Sequence, residues 1–247
     1  MRVNLTKAIG DSLLLRYRRR MTQRLDKVVS HAFGLPRKVA RQVVRAGRVT
    51  VDGEPCRDVS AAVRPDQVAF DGEPYVAPME LAMYHKPVGV QCTVGDPRGR
   101  ANLQEYVPEL LAAGLHPVGR LDADTSGLLL FARDGQLTQR LLHPRHGVPK
   151  TYLATVEGTP GPELVAQMAA GVETSLGVHT ATVEQIEGQV VRITVHEGKH
   201  RMVRRMLHNA GHSVIALHRV AMGPYQLGDL AVDHWLPADP ADFHNAS

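Results

Sequence analysis

The sequence predicts an α+β protein in two parts: a small basic module of helices and short strands, then a larger domain mixing strands and helices. Three observations carry this prediction. Between positions 24 and 46 apolar residues recur at helical spacing, and two strand-and-turn phrases follow, Val49 to Pro55 and Val68 to Pro74. Beyond residue 80, strand-like and helix-like runs alternate at intervals too irregular for regular βαβ winding. The chain of 247 residues is long enough for one large core or two modest ones.

Taken in order, residues 1–20 hold one short apolar run, Leu13 to Leu15, followed by the basic cluster Arg16, Arg18, Arg19 and Arg20. A secretory leader has the reverse order and a longer apolar stretch, so a disordered basic extension is expected here. Organised sequence begins near Met21. Leu25, Val28, Val29 and Ala32 fall on one helical face, and Gly34-Leu35-Pro36 breaks that helix. A second helix is expected over Arg37 to Ala46, ending at Gly47. Each strand phrase closes in an Asp-Gly pair, Asp52-Gly53 and Asp71-Gly72, the signature of a tight hairpin turn.

Residues 21–79 thus form the first domain, and residues 76–80 read as its linker to a second domain over 80–240. There, strands are expected over Leu81 to Tyr84, Gly127 to Ala132, Tyr152 to Val156 and Val190 to Val195. Helices are expected over Leu137 to Leu142, Pro162 to Ala170 and Met202 to Asn209.

Composition narrows the class of function. Hydrophobic residues make up 43%, enough for globular folding, and no stretch has the length of uncharged apolar sequence a membrane span needs. Cys56 and Cys92 have neither metal spacing nor a disulfide framework, and fit reduced thiols in a cytoplasmic protein. A pI near 9.2 and a net charge of +4 point to a polyanionic partner. The charge is concentrated: Arg24, Lys27, Arg37, Lys38, Arg41, Arg45 and Arg48 stand in one stretch with Asp26 as the only acid. Arg37, Lys38, Arg41 and Arg45 lie near one helical face, a comb suited to phosphates. An ordinary solvated helix carries both signs; this one carries nearly a single sign.

The phrases Arg24-Leu25-Asp26, the basic helix Arg37 to Arg45 and the turn Gly47 to Gly53 resemble the ribosomal-protein-S4-type RNA-binding domain. That resemblance implies the fold and RNA binding, with Arg24, Arg37, Lys38, Arg41, Arg45 and Arg48 as RNA contacts. It does not identify an enzyme, because the module precedes several unrelated activities.

Two metal signatures can be weighed on physical grounds. His196-Glu197-Gly198-Lys199-His200 fits H-E-x-x-H, which needs a helix to bring both imidazoles to zinc. The preceding Val190 to Val195 alternates like a strand and Gly198 interrupts the motif, so a turn is expected and no zinc. Asp122 to Gly127 opens like a calcium loop, but its twelfth position is Arg133, a cation where a carboxylate must stand. It also fits a D-x-D-x-T phosphatase nucleophile, but Val118 to Leu121 is not the apolar strand such a site follows. No metal is expected.

The larger phrase around Asp122, G-R-L-D-A-D-T-S-G-L-L from Gly119, resembles the central motif of the RsuA-type pseudouridine synthases. Further matches follow the family's order: His85 to Gly89 for N-K-P-x-G, Lys150-Thr151-Tyr152 for K-x-Y, and Glu197 to Met206 for E-G-(R/K)-x-x-Q-V-(K/R)-R-M. His85 replaces an Asn and Met202 a Gln, departures that bear on RNA contacts near those positions. With the front module, the resemblance covers about residues 21 to 237, and its arrangement is most similar to the small-subunit (16S) rRNA enzymes. It implies a catalytic Asp122, a Tyr152 that stacks on the target base, and an Arg204 that pairs with Asp122, with Arg205 and Lys199 as substitutes. It implies RNA contacts at Lys86, Arg120, Lys150, Lys199 and Arg205, and a monomeric enzyme acting on ribosomal RNA, either free or within an assembly intermediate.

The implied chemistry suits these residue types. Uridine becomes pseudouridine by breaking N1–C1′, turning the uracil and rejoining it through C5. No atom enters or leaves, so no cofactor is called for. One carboxylate suffices, as nucleophile at the sugar or the base or as the base that removes the 2′ proton. The interval from Gly198 to Gly228 contains no acid but holds Lys199, Arg201, Arg204, Arg205 and Arg219, a second basic stretch. Two alternatives stay open: the same chemistry on large-subunit (23S) RNA, and a non-catalytic RNA-binding assembly factor. The intact Asp122, Tyr152 and Arg204 favour the enzyme.

Overall fold

A computed structural model describes residues 22–75 and 78–245, so the expectation for residues 1–20 lies outside the described residues. The chain separates into two units with the division between Pro78 and Met79.

The first unit opens with β1 (Gln23–Arg24), α1 (Leu25–Ala32) and α2 (Arg37–Arg45). Strands β2 (Val49–Val51), β3 (Glu54–Pro55), β4 (Ala62–Val63), β5 (Val68–Phe70) and β6 (Glu73–Pro74) follow. β4 pairs with β1, and the other four form a sheet in the order β3-β2-β5-β6. Both Asp-Gly turns take the backbone that hairpins favour: Asp52, Gly53, Asp71 and Gly72 all have positive φ. Leu25, Val28, Val29, Ala40, Val43, Val44, Val49 and Val68 form the core, so the apolar faces of α1 and α2 close over the sheet.

The second unit begins with β7 (Leu81–Lys86), α3 (Leu103–Tyr106), α4 (Pro108–Ala112), β8 (His116–Pro117), β9 (Thr125–Ala132) and α5 (Gly135–Leu142). It continues through β10 (Lys150–Val156), α6 (Pro162–Ala170), the hairpin β11 (Val172–Thr174) and β12 (Gly177–His179), β13 (Thr182–Glu187) and β14 (Val190–Val195). It ends with α7 (Met202–Asn209), β15 (Val214–Met222), β16 (Tyr225–Gln226), β17 (Trp235–Pro237) and α8 (Pro240–Asn245).

The main sheet runs β13-β14-β10-β15-β9-β7-β17, with β16 beside β15 and β8 beside β9. The pair β9–β15 is parallel and the other described pairs of this sheet are antiparallel, the largely antiparallel α+β arrangement expected.

Alternation sorts side chains to two faces. Ala82, Tyr84, Leu129, Phe131, Tyr152 and Ala154 join Leu164, Met168, Met206 and Leu207 in one core. Leu81, Leu128, Leu130, Leu137, Leu141 and Met222 form the other. The expected strand at Leu81 extends to Lys86, and the one at Tyr152 begins at Lys150. β15 has no counterpart among the expected strands, because Val214 to Leu217 is continuously apolar and His218-Arg219 then breaks any alternation.

Gly127 explains how β15 fits against β9. Its φ is +107°, and a Cβ there would collide with the backbone nitrogen and oxygen of Arg219. Only glycine lets the parallel pairing of Gly127 with Arg219 form.

Candidate active site and basic surfaces

The candidate site lies on the second unit, at the end of the sheet face that carries Lys86 and Tyr152. Between β8 and β9 the chain passes through Arg120, Leu121, Asp122, Ala123 and Asp124, and this loop is pinned from several sides. The Leu121 N–H donates to Cys92 Sγ at 3.3 Å. The Gly89 N–H donates to the Ala123 carbonyl at 2.7 Å, and the Thr125 N–H to the Asp122 carbonyl at 3.0 Å. Arg204, from the first turn of α7, donates through Nη2 to the Asp124 carbonyl at 2.8 Å.

Arg204 also corrects an expectation. Its guanidinium meets the Asp124 carboxylate at 3.4 Å, and Arg201 reaches the same carboxylate at 2.9 Å. No ion pair joins Arg204 to Asp122 among the described residues. Burial pushes the Asp124 carboxyl up, but the two arginines outweigh it and hold the group below its usual range. Asp122 is left half-buried, and no side-chain hydrogen bond reaches its carboxylate among the described residues. It still stands in a positive field, for its charge acts on Lys86, Arg201 and Arg204. The two acids of the motif thus differ: Asp124 takes the arginines, and the Asp122 oxygens accept no hydrogen bond among the described residues.

Around Asp122 the remaining expected residues separate into buried and exposed sets. Tyr152 is buried, and Arg219 lies opposite it across β10 and β15, its guanidinium carbon 6.0 Å from the ring centre. Lys86 and Lys150 do not offer the surface ammonium groups expected of RNA contacts. Lys86 is fully buried and donates to the carbonyls of Pro87 and Val90, each at 2.8 Å. Lys150 is buried and donates to the Val148 carbonyl at 3.2 Å. Burial lowers the Lys86 ammonium and, with the Arg219 charge adding to it, brings Lys150 down to about 8. Arg120 is exposed with no ion pair among the described residues.

The two expected substitutes for Arg204 are held elsewhere. Lys199 donates to the Leu176 carbonyl and Arg205 to the Ser175 hydroxyl, so both tether the turn of the β11–β12 hairpin. His196 to His200 lies in a turn, as expected, and not on the helix that paired zinc ligands require. Of the two departures, His85 faces the opposite side of the sheet, bonded to the Leu230 carbonyl and beside His218, and Met202 is buried core.

On the first unit, Asp26 is fully buried and receives Arg24, Arg37 and Arg41 at 3.2, 3.3 and 2.9 Å. Arg48 pairs with Asp71 and lies over the Phe70 ring. Lys38 and Arg45 are exposed on α2 and form no ion pair among the described residues.

The RNA pseudouridylate synthase family matches residues 80–209, the segment that contains the pinned loop, Tyr152 and α7, and the S4 domain matches residues 23–68. The chain belongs to the RNA pseudouridine synthases. The enzyme is 41% identical over 217 residues to an uncharacterized RNA pseudouridine synthase of Mycobacterium leprae, covering 83% of this chain and 85% of that one. It is 40% identical over 214 residues to ribosomal small subunit pseudouridine synthase A of Yersinia pestis, covering 83% of this chain and 90% of the relative. Its counterpart in Escherichia coli is 37% identical over 225 residues, covering 87% and 95%. A crystal structure of a pseudouridylate synthase superposes with a TM-score of 0.63 at 28% identity, covering 92% of this chain and all of that one. The front unit is accordingly an S4 domain, and the second unit is the synthase domain that acts on RNA.

Among the described residues no helix is long and apolar enough to cross a membrane.

Proposed function

We propose that this synthase isomerises a uridine of small-subunit (16S) ribosomal RNA, with Asp122 as the working carboxylate. The observation that carries the reading is the free Asp122 carboxylate, held on a loop pinned by Gly89, Cys92 and Arg204 while Asp124 absorbs the arginines. A group that must form or abstract in a transition state gains from being fixed in place and unbonded. The small-subunit target rests on similarity to the ribosomal small subunit pseudouridine synthases of Yersinia pestis and Escherichia coli.

In the reaction, Asp122 attacks the sugar or base, or takes the 2′ proton, and N1–C1′ breaks. The uracil turns and C5 bonds to C1′. The C5 proton is then lost and N1 gains one, so the sum of atoms is unchanged. Tyr152 presents its ring to the extruded base. Arg120, exposed two residues before Asp122, meets the nucleotide or the gap that it leaves. Residues 21–79 add affinity and site choice, residues 80–240 carry the chemistry, and the enzyme works as a cytoplasmic monomer. Around α7, Arg201, Arg204, Arg205, His208 and Asn209 line a basic depression suited to the RNA backbone.

The test is to map pseudouridines in ribosomal RNA from cells lacking the gene and from cells complemented with wild type or Asp122→Asn. One small-subunit site should disappear with the gene and return with wild type alone. A lost site in large-subunit RNA would move the target; restoration by Asp122→Asn would remove Asp122 from its role.

A further inference from the structure

We propose that Arg219 contacts the substrate: its unfilled guanidinium N–H takes a carbonyl oxygen of the uracil and holds the negative charge the base carries in mid-reaction. The inference rests on the isomerase reading above and adds a residue to it.

Arg219 is 3% exposed. Its Nε donates to the Leu128 carbonyl at 2.7 Å, which fixes the guanidinium in place. Its Nη2 is buried with no hydrogen-bond partner among the described residues. A buried donor left unmet is costly, and a neutral side chain could satisfy Leu128 without that cost. The position is also specific. Arg219 stands across from Tyr152, the ladder shifts register between Thr151 and Tyr152, and Gly127 clears the backbone on the other side. Its charge reaches Cys92, whose sulfur holds the Leu121 N–H one residue before Asp122.

Lys86 and Lys150 repeat the pattern. Both are buried and donate only to backbone carbonyls among the described residues. The Arg219 charge acts on Lys150, and Lys86, whose strand partner Gly127 is also the partner of Arg219, acts with Arg219 on Cys92. Buried cations are normally paired. Among the described residues no carboxylate is hydrogen-bonded to any of the three; Asp122 and Asp124 act on Lys86 and Glu197 on Lys150 only at longer range, and Arg219 has no such acid, so this part of the site suits a ligand that becomes negative.

The reaction supplies one. When N1–C1′ breaks, its electron pair stays on the uracil and spreads onto O2 and O4, while C1′ gains an oxygen of Asp122 or the sugar gives its 2′ proton to Asp122. If the carboxylate instead adds to C6, the charge lies on O4. The base then turns about its N3–C6 axis, which exchanges N1 with C5 and O2 with O4. A donor fixed beside one carbonyl therefore finds a carbonyl both before and after the turn. C5 bonds to C1′ as Asp122 is released or returns its proton, and the C5 proton is replaced by one on N1. Stabilising charge that exists only during the reaction lowers the barrier without tightening substrate binding.

The test uses the full chain and an in vitro transcript of the ribosomal RNA that the wild type modifies, made with uridine or with 5-fluorouridine. Fluorine stabilises the base anion, so an enzyme lacking the cation should be helped by it. Wild type, Arg219→Gln and Arg219→Met are followed at saturating RNA in single turnover, read as loss of the N-glycoside. On uridine both variants should slow at least about a hundredfold, with half-saturating RNA changed less than about threefold. On 5-fluorouridine the deficit should shrink to less than about tenfold. Arg219→Gln keeps a donor for Leu128, so it decides the matter if Arg219→Met does not fold. An equal deficit on both bases would make Arg219 structural, and weaker binding at a normal rate would make it a phosphate contact; either overturns the proposal. Turnover by Asp122→Asn would strike the parent reading instead.

Discussion

Asp26 in the S4 domain and Asp122 in the synthase domain both stand among arginines and are held in opposite ways. Asp26 is wholly buried, and three arginines from separate positions converge on it. Burial pushes its carboxyl up; the hydrogen bonds from Arg24, Arg41 and Arg37 prevail and hold it well below the usual range. Asp122 is half-buried, its neighbour Asp124 takes Arg201 and Arg204, and its own oxygens are unbonded among the described residues. A carboxylate saturated by donors fixes a fold and has nothing left to react with. One placed in the same kind of positive field but kept free of direct bonds can become a nucleophile or a base.

The largest expected effect breaks the second half of this comparison. Asp122→Asn should lower single-turnover isomerisation by more than about a hundredfold. Melting temperature and RNA affinity should hardly change, since the carboxylate supports no neighbour. A loss of stability comparable to that of an Asp26 variant would mean that Asp122 is structural after all.

Arg204→Ala should come next, slowing the reaction by roughly tenfold to a hundredfold through misplacement of the loop. Arg204 holds the Asp124 carbonyl, the Thr125 hydroxyl at 3.4 Å and the Val214 carbonyl at 3.3 Å. Because it acts by these bonds, the loss should not recover as the pH is raised. Recovery at higher pH would instead identify Arg204 as the cation that keeps Asp122 ionised.

The two acids also mark the limit of what the sequence makes legible. Helices α1, α2, α6 and α7 and the strands around Leu81, Gly127, Tyr152 and Val190 were legible because their apolar spacing is regular. Asp122 and Asp124 stand two residues apart on a loop, where no periodicity says which carboxylate turns toward α7. Lys86 and Lys150 look like surface cations in sequence, since charge alone signals neither their burial nor the carbonyls that receive them. Arg219 lay within the acid-free interval, but its place beside Tyr152 depends on β15, a strand without alternation. The rest required the pairing of strands far apart in the chain.

A third experiment breaks the first half of the comparison. Asp26→Asn should destabilise the S4 domain by about 2 kcal/mol, less than a fully buried pair would cost because the three arginines are half-exposed. The pH dependence has a definite sign. The folded value of Asp26 is depressed, so its contribution is complete above the unfolded value of about 3.9 and is lost as pH falls toward the folded one. Acid titration of the wild-type melting temperature should show this loss, and Asp26→Asn should flatten it.

The smallest effect sharpens the contrast within α2. Arg37 and Arg41 are engaged with Asp26, whereas Lys38 and Arg45 are exposed and form no ion pair among the described residues. A free cation can meet a phosphate without giving up an existing partner; an engaged one must share its charge. Lys38→Ala and Arg45→Ala should each weaken RNA binding a few fold at low salt and reduce the salt slope by about one. Neither should move the melting temperature, because neither holds another residue. Arg37→Ala should do both, lowering stability slightly as Asp26 loses a donor and weakening RNA binding less than Lys38→Ala does. The measurement is RNA affinity against salt for the three variants, beside their melting temperatures. If Arg37→Ala gives the steepest loss of affinity at unchanged stability, the Asp26 cluster serves to aim arginines at RNA rather than to hold the fold.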